Sequence, residues 1–409
     1  MFIVFTTLLN QKICEMSDVE LDKCILCPRN LSKNEKPEHI LLDALGGRCK
    51  TSRVICSLCN EKMGGGPDSD LAKSTLMLRN ACGLKSGSGG SAPQMRGLET
   101  DGERFDLMPG MQARMRPKDP MSVSFDEDQI AVSIQAQSEE EADKLLTAAA
   151  NKIAKHLGHD RKEIIEAIKK DLAKDRQDAF RPAPAIRGHL EFGQGQSQQS
   201  MAKACLVLWA KCVSNAEVNS ERYDRVRAFV WQGQASEESK NISKIDTRPL
   251  PDLPADYGTN PNIVWAGSDE NGQVYGYFRL YGAIGWRFDL CGGSGPPNLQ
   301  ICLISNPFDN SVWDLLYDDK SPILINWVKS DWKVYPPNFN SVQVRIESML
   351  EYAHNLSQNM WLEKLAEEAF AKAGCGEGEV ITEEHIARVS EYVTPALAAV
   401  ILKTTVPRK

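Results

Sequence analysis

Apolar and polar residues alternate with a two-residue period in the segment that follows the first ninety residues. The alternation at 94–98 and 104–107 flanks Asp101-Gly102, a pair that supplies the positive φ angles of a tight turn. Residues 122–125 and 129–134 alternate in the same way. We therefore predict a β-hairpin and a further pair of strands in this segment.

Apolar residues with helical spacing come directly after these strands in the chain. Leucine and isoleucine recur three and four positions apart up to Leu157 and again after Asp160. Ser138 and Glu141 form a capping box at the start of the first helix, because each side chain can accept a backbone N–H of the opening turn. Strands followed by helices in one segment are typical of an α+β fold.

The second half of the chain begins with a continuous apolar run at 200–213, which predicts a buried helix, and a second helix follows Ser220. Short segments rich in β-branched and aromatic residues come next, separated by Asn-Gly and Gly-Gly turns, and they predict an antiparallel meander. These segments are 262–266, 273–281, 286–291 and 299–305. Two terminal helices are expected at 341–373 and 382–403.

Length and composition indicate several folded domains. The chain has 409 residues, 42% of them hydrophobic, which is enough for two or three packed cores. All eight tryptophans follow position 200, so the main core is expected there. Lys85 is followed only by glycine and serine up to residue 91, a composition typical of a flexible joint. We expect three parts: 17–84, 85–180 with a hairpin and an α+β subdomain, and 181–409 with the sheet and the terminal helices.

Two Cys-x-x-Cys pairs carry the strongest chemical signal. Cys24 with Cys27 and Cys56 with Cys59 are separated by 28 residues, and each short pair can direct two thiolates at one Zn²⁺. The other eight of the twelve cysteines are scattered, so a disulfide framework is not indicated and a reducing cytoplasm is expected. Four thiolates fill a tetrahedral zinc site, which predicts a structural ion with no position left for a substrate.

A second set of polar side chains lies within and just beyond the loop that the zinc would close. Glu38 is followed by His39, and Asn60 follows the last cysteine directly. Carboxylate and amide oxygens suit a hard cation such as Mg²⁺, and histidine titrates close to neutral pH. A plain zinc ribbon needs no acid–base pair in its loop, so the pattern favours a reactive site.

Residues 22–72 resemble the HNH endonucleases of the ββα-metal kind, in the zinc-stapled form that reads Glu-His…Cys-x-x-Cys-Asn. The resemblance implies a catalytic Mg²⁺ or Mn²⁺ held by Glu38 and Asn60, with His39 as the general base. It implies DNA as the substrate and phosphodiester hydrolysis, with a single site nicking one strand at a time. Leu45-Gly46-Gly47 also fits this subfamily.

One position departs from the family pattern. Many members have an asparagine shortly before the third cysteine that orients the histidine, whereas Thr51 and Ser52 stand there in this chain. The residue that orients His39 is therefore left unassigned. The C-terminal body weakly resembles bodies attached to such modules in bacteria, which suggests a role in defence against foreign DNA.

Charge is distributed unevenly along the chain. The net charge of −7 argues against a nucleic-acid partner, since such binding depends on lysine and arginine. Residues 23–96, however, contain 12 Lys and Arg against 6 Asp and Glu, a surplus of six that leaves −13 for the rest. A basic nuclease module on an acidic body and an ordinary solvated face both explain this surplus.

Sequence motifs of several other protein classes are missing from this chain. It has no Walker loop, dinucleotide fingerprint or hydrolase elbow. Residues 1–10 are apolar but too few to span a bilayer, so no membrane partner is expected. The terminal helices could pack on the body or on a second copy. The partners expected besides DNA are a second copy of the chain or a regulatory protein. The alternative to a nuclease is a non-catalytic zinc-knuckle module that binds nucleic acid or protein, because four-cysteine zinc sites are common in non-enzymes.

Overall fold

The computed structural model describes residues 23–100, 102–126, 129–136, 139–158, 160–175, 190–193, 195–233, 241–316, 320–330, 336–376 and 378–401. The apolar segment at 1–10 and the capping residue Ser138 lie outside these ranges. Contacts divide the chain into two compact units. The first contains the described residues of Met1–Pro93 and Gly188–Tyr352, and the second those of Gln94–Arg187 and Ala353–Lys409.

The first unit holds the cysteine-rich segment and the large sheet. Its early elements are β1 (Glu38–His39), β2 (Lys50–Thr51), α1 (Ser57–Gly65), α2 (Pro67–Ser74) and α3 (Leu76–Ala81). The second unit begins with β3 (Met95–Thr100), β4 (Glu103–Met108), β5 (Gln112–Met115), β6 (Met121–Phe125), β7 (Ile130–Ile134), α4 (Glu139–Leu157) and α5 (Arg161–Asp175). Strands β3, β4 and β5 form one antiparallel sheet, and β6 pairs with β7.

The chain then returns to the first unit. Its remaining elements are α6 (Ser197–Cys212), α7 (Asn215–Val218), α8 (Asp224–Gln232), β8 (Ser243–Asp246), β9 (Asn262–Ser268), β10 (Gln273–Leu280), β11 (Ile284–Gly292), β12 (Gln300–Ser305), β13 (Val312–Leu316) and α9 (Ile325–Lys329). Helix α10 (Phe339–Ala373) contributes residues to both units, and α11 (Glu383–Ile401) belongs to the second.

Six strands form the central antiparallel sheet in the order β13-β12-β9-β10-β11-β8. The predicted meander is confirmed for β9, β10 and β11, which pair as consecutive hairpins. Strand β12 does not continue the meander but pairs with β9 on its other side. The edge strands β8 and β13 were not predicted, because each is short and partly polar. The α+β class is confirmed.

Both faces of this sheet are buried. Val264, Phe278 and Leu303 face a large core that also contains α6, while their strand neighbours Trp265 and Tyr277 face a smaller cluster. Alternate residues of a strand point to opposite faces, so both clusters pack on one sheet. Helix α6 contacts β9, β10 and β12, as its continuous apolar run predicts.

The cysteine-rich segment has no separate core. Its apolar residues Ile25, Leu41 and Leu71 belong to the same buried cluster as Leu206 on α6 and Ile301 on β12. This grouping differs from the three consecutive segments expected from the sequence, because a module of this size buries too little surface alone and adds its apolar face to the larger core. Within the described residues, no helix is long and apolar enough to cross a membrane.

Candidate active site and metal centre

The four cysteines predicted to hold zinc come together in the structure. Their sulfur atoms all lie within 4.8 Å of one another, and the Sγ atoms of Cys27 and Cys56 are 3.6 Å apart. A tetrahedral ion with Zn–S bonds of about 2.3 Å requires sulfurs separated by about 3.8 Å. Cys24, Cys27, Cys56 and Cys59 therefore fit a metal ion such as Zn²⁺ in both number and spacing.

Hydrogen bonding already favours a thiolate in this cluster. The pKa of Cys24 is lowered to about 5, first by a hydrogen bond from Cys59 and then, against the effect of burial, by backbone N–H groups. Two of these donors are the N–H groups of Leu26 and Cys56, at 3.4 and 3.3 Å from Cys24 Sγ. Such knuckle geometry is typical of sulfur ligands, because backbone N–H groups stabilise the negative charge.

Side chains from the large core hold the two cysteine turns. Asn215 Nδ2 donates to the carbonyl oxygens of Lys23 and Arg53, at 2.7 and 3.0 Å. Trp231 Nε1 donates to the carbonyl of Leu26 at 2.6 Å. The cysteine cluster is thus attached to α7 and α8 by hydrogen bonds as well as by apolar packing.

Glu38 and His39 occupy a short hairpin beside the cluster. Strand β1 pairs antiparallel with β2, which sets Glu38 opposite Thr51 and His39 opposite Lys50. Because neighbouring strand residues point to opposite faces, Glu38 is buried and His39 is half-buried. In the loop between β1 and β2, Gly47 lies where a Cβ atom would come within 1.8 Å of the Leu41 carbonyl oxygen, so only glycine fits.

A buried lysine contacts Glu38, and it was not predicted. Lys203 Nζ on α6 lies 2.6 Å from Glu38 Oε1 and 2.6 Å from Asp68 Oδ2, and the side chain of Lys203 is 3% exposed. Ser200 Oγ donates to the other oxygen of Asp68 at 2.5 Å. We call Glu38, Asp68 and Lys203 the ionic triad.

The triad carries two carboxyl groups and one ammonium group in a dry environment. Burial raises the pKa of Glu38, and Lys203 opposes this rise. Burial alone would lower the pKa of Lys203, but the carboxylates of Asp68 and Glu38 outweigh it and raise that pKa. Lys203 therefore stays protonated. A signal was available, since Lys203 is the one charged residue between Met201 and Ala210 in the apolar run.

His39 lines a small pocket together with members of the triad. The pocket wall includes Asp68, Ser200 and Lys203. Burial lowers the pKa of His39, Lys50 lowers it further, and Asp43 acts in the opposite direction. The imidazole is consequently neutral at physiological pH and able to accept a proton.

Asn60 lies on α1, the helix that begins after Cys56. Its backbone N–H donates to the Cys56 carbonyl at 2.9 Å, and its side chain is half-buried. The start of α1 is fixed by Glu35, which accepts the Ser57 N–H at 2.6 Å. Within the described residues no hydrogen bond joins the Asn60 amide to Glu38, so their sharing of one cation stays a prediction.

The comparison with protein families identifies the cysteine-rich segment. Residues 24–76 match the model of a family described as HNH endonuclease. No curated protein and no solved structure matches the chain. The matched segment contains all of the predicted site residues, and the expected HNH resemblance is confirmed for this segment.

Proposed function

We propose that the protein is a metal-dependent DNA endonuclease that hydrolyses phosphodiester bonds at the hairpin carrying Glu38 and His39. The observation that carries this proposal is the match of residues 24–76 to the HNH endonucleases, a match that implies a nucleic-acid substrate. The gathered cysteines support it further, because they fit the structural ion that fixes such a hairpin.

His39 is the general base in this proposal. Its pKa lies below the usual value because of burial and the nearby Lys50, so the neutral form dominates at physiological pH. A neutral imidazole beside a pocket can take a proton from water as the water attacks phosphorus. The leaving group is the 3′-oxygen of the preceding nucleotide.

Glu38 and Asn60 would hold a catalytic Mg²⁺ or Mn²⁺ through hard oxygen atoms. Glu38 Oε1 accepts from Lys203, and Oε2 makes no hydrogen bond within the described residues, so one oxygen is available. Both oxygens of Asp68 are engaged, by Ser200 and Lys203. A bound cation would supply Lewis-acid stabilisation of the leaving oxygen. Lys203 would orient the Glu38 carboxylate.

DNA is favoured as the substrate by the resemblance and by the basic surplus of residues 23–96. One site of this kind cuts one strand at a time, so nicking is the expected activity of a single copy. A role in bacterial defence against foreign DNA is a further part of the proposal, and it rests on the resemblance alone.

The test is cleavage of supercoiled plasmid in the presence of Mg²⁺ or Mn²⁺. His39→Ala is expected to lower the nicking rate by about 10²- to 10⁴-fold, the usual contribution of a general base. His354→Ala is a matched control, because His354 is an exposed histidine on α10. Wild-type cleavage by His39→Ala at equal zinc content would show that the assignment is wrong.

Cation binding separates this proposal from a non-catalytic zinc knuckle. After the cysteines are saturated with zinc, a nuclease should bind Mn²⁺ at a second site, which electron paramagnetic resonance detects directly. Glu38→Ala should weaken that binding. A protein that binds no Mn²⁺ beyond the zinc cluster would instead favour the binding module.

A further inference from the structure

The Gly-Ser segment after Lys85 is folded onto the candidate active site and is not a free joint. The backbone N–H of Gly87 donates to the Asp43 carbonyl at 2.8 Å. The backbone N–H of Ser88 donates to Asp43 Oδ1 at 2.8 Å, and Ser88 Oγ donates to Asp43 Oδ2 at 3.2 Å. Three hydrogen bonds thus fix both the backbone and the carboxylate of Asp43.

One glycine of this segment, Gly87, is required by close packing. A Cβ atom on Gly87 would lie 1.9 Å from the Gly47 carbonyl oxygen. Gly47 belongs to the turn that follows β1, where its N–H donates to the Leu42 carbonyl at 3.2 Å. The segment therefore has a defined position against the turn that carries Asp43.

The carboxylate held in this way faces the histidine. Asp43 Oδ1 lies 3.7 Å from His39 Nε2, and both side chains are partly shielded, with 32% and 25% of their surfaces exposed. Thr51 and Ser52 stand where related nucleases place an orienting asparagine, and within the described residues neither side chain makes a hydrogen bond to His39. In the strand register Thr51 lies opposite Glu38, and Lys50 lies opposite His39.

We infer that Asp43 is the positioning residue of His39 and that residues 86–88 hold Asp43 in place. Asp43 Oδ1 accepts the Nε2–H of the imidazole, which leaves Nδ1 as the nitrogen that takes the proton from water. In the Ser-His-Asp triad a carboxylate likewise accepts the N–H of one ring nitrogen and leaves the other nitrogen as the base, with Nδ1 held there and Nε2 as the base. The 3.7 Å between Asp43 Oδ1 and His39 Nε2 is longer than a hydrogen bond, so the proposed contact requires the two side chains to approach by about 0.5–1 Å in the zinc-loaded protein. This inference rests on the proposed function of His39.

Ring-proton NMR of the zinc-loaded full chain tests the contact without any cleavage. At pH 8 the Nε2–H of His39 should give a resolved ¹H–¹⁵N signal, because a hydrogen bond slows its exchange with water; His39→Gln identifies the signal. Asp43→Ala should abolish it. Asp43→Asn should keep it, since the Ser88 N–H holds the remaining carbonyl oxygen towards the ring.

Cleavage measurements then address function. Asp43→Ala should lower kcat about a hundredfold with KM unchanged, since a misplaced reacting group costs a factor of this size, and Ser88→Ala should lower kcat less. No signal in the wild type, or an unchanged signal in Asp43→Ala, would overturn the inference whatever the cleavage results. An intact signal in a protein that cuts no DNA would leave the contact standing and refute the proposed function.

Discussion

Replacing Lys203 with methionine removes the only cation of the ionic triad while keeping a side chain of similar length. The two carboxyl groups of Glu38 and Asp68 are then left together in the core. Their side chains are 7% and 8% exposed, so water cannot replace the lost ammonium. We expect Lys203→Met to be among the most destabilising single substitutions in the first unit.

The distances set the size of the effect. At 2.6 Å from each carboxylate oxygen, Lys203 Nζ gains up to about 6 kcal/mol of Coulomb attraction per contact at an effective dielectric constant of about 20. Desolvation of the three groups offsets most of this gain. Breaking such a buried pair typically costs about 3–5 kcal/mol, a large part of the 5–15 kcal/mol that keeps a domain folded.

Urea denaturation of the zinc-saturated protein measures this difference. Tryptophan fluorescence reports on the first unit, because Trp209, Trp265 and Trp286 are fully buried in it. Asp224→Asn is a suitable control, since Asp224 is 61% exposed and its ion pair with Arg227 should contribute about 1 kcal/mol or less.

A charge-compensated variant separates the ionic effect from packing. Combining Lys203→Met with Glu38→Gln and Asp68→Asn removes all three charges, so most of the lost stability should return. An ionic role for Lys203 is refuted if the free energy of unfolding of Lys203→Met is within about 1 kcal/mol of the wild-type value. It is also refuted if the triple variant is as unstable as the single one.

Three further predictions concern the site. Cys59→Ser should lose zinc, measured by metal analysis, and the first unit should unfold at lower urea, because bound zinc stabilises such segments by about 10 kcal/mol or more; retained zinc would contradict this. The cleavage rate should fall as pH decreases through a midpoint below 6.5, the usual pKa of histidine, because His39 must be neutral to act as a base. Lys50→Met should move that midpoint to higher pH, because Lys50 lowers the pKa of His39. A downward shift or no shift would contradict this. Gly87→Ala should speed hydrogen exchange of the Ser88 amide, whereas Gly64→Ala, which meets no atom within 4 Å, should not.

Patterns within one segment predicted much of the fold. The apolar run after residue 200 became α6, and the alternating segments on either side of Asp101-Gly102 became the paired strands β3 and β4, because both depend on local spacing. Asp101 itself lies outside the described residues. The same holds for the terminal helices, whose described bounds lie within two residues of the predicted limits. The cysteine spacing likewise predicted that the four sulfurs come together, since four sulfurs can bind one ion in few arrangements.

Contacts between distant segments were not predictable in this way. Glu38 and Lys203 are 165 residues apart, and nothing in the spacing of either residue indicates the other. The Gly-Ser segment has the composition of a linker, yet small residues are also what close packing against Gly47 requires. Strand β12 pairs with β9 because the hairpins leave that edge of β9 free. The sequence of a single strand does not indicate which edge will be free.

The ends of a nicked plasmid test directly whether His39 promotes hydrolysis at the 3′-oxygen. Supercoiled DNA is incubated with zinc-loaded protein and Mn²⁺, and the nicked circles are purified and treated with a DNA ligase that joins only 5′-phosphate to 3′-hydroxyl ends. The wild-type protein should give nicked circles that the ligase reseals, and His39→Ala should give almost none. Nicked circles that resist sealing, or equal nicking by His39→Ala, would contradict the proposed mechanism.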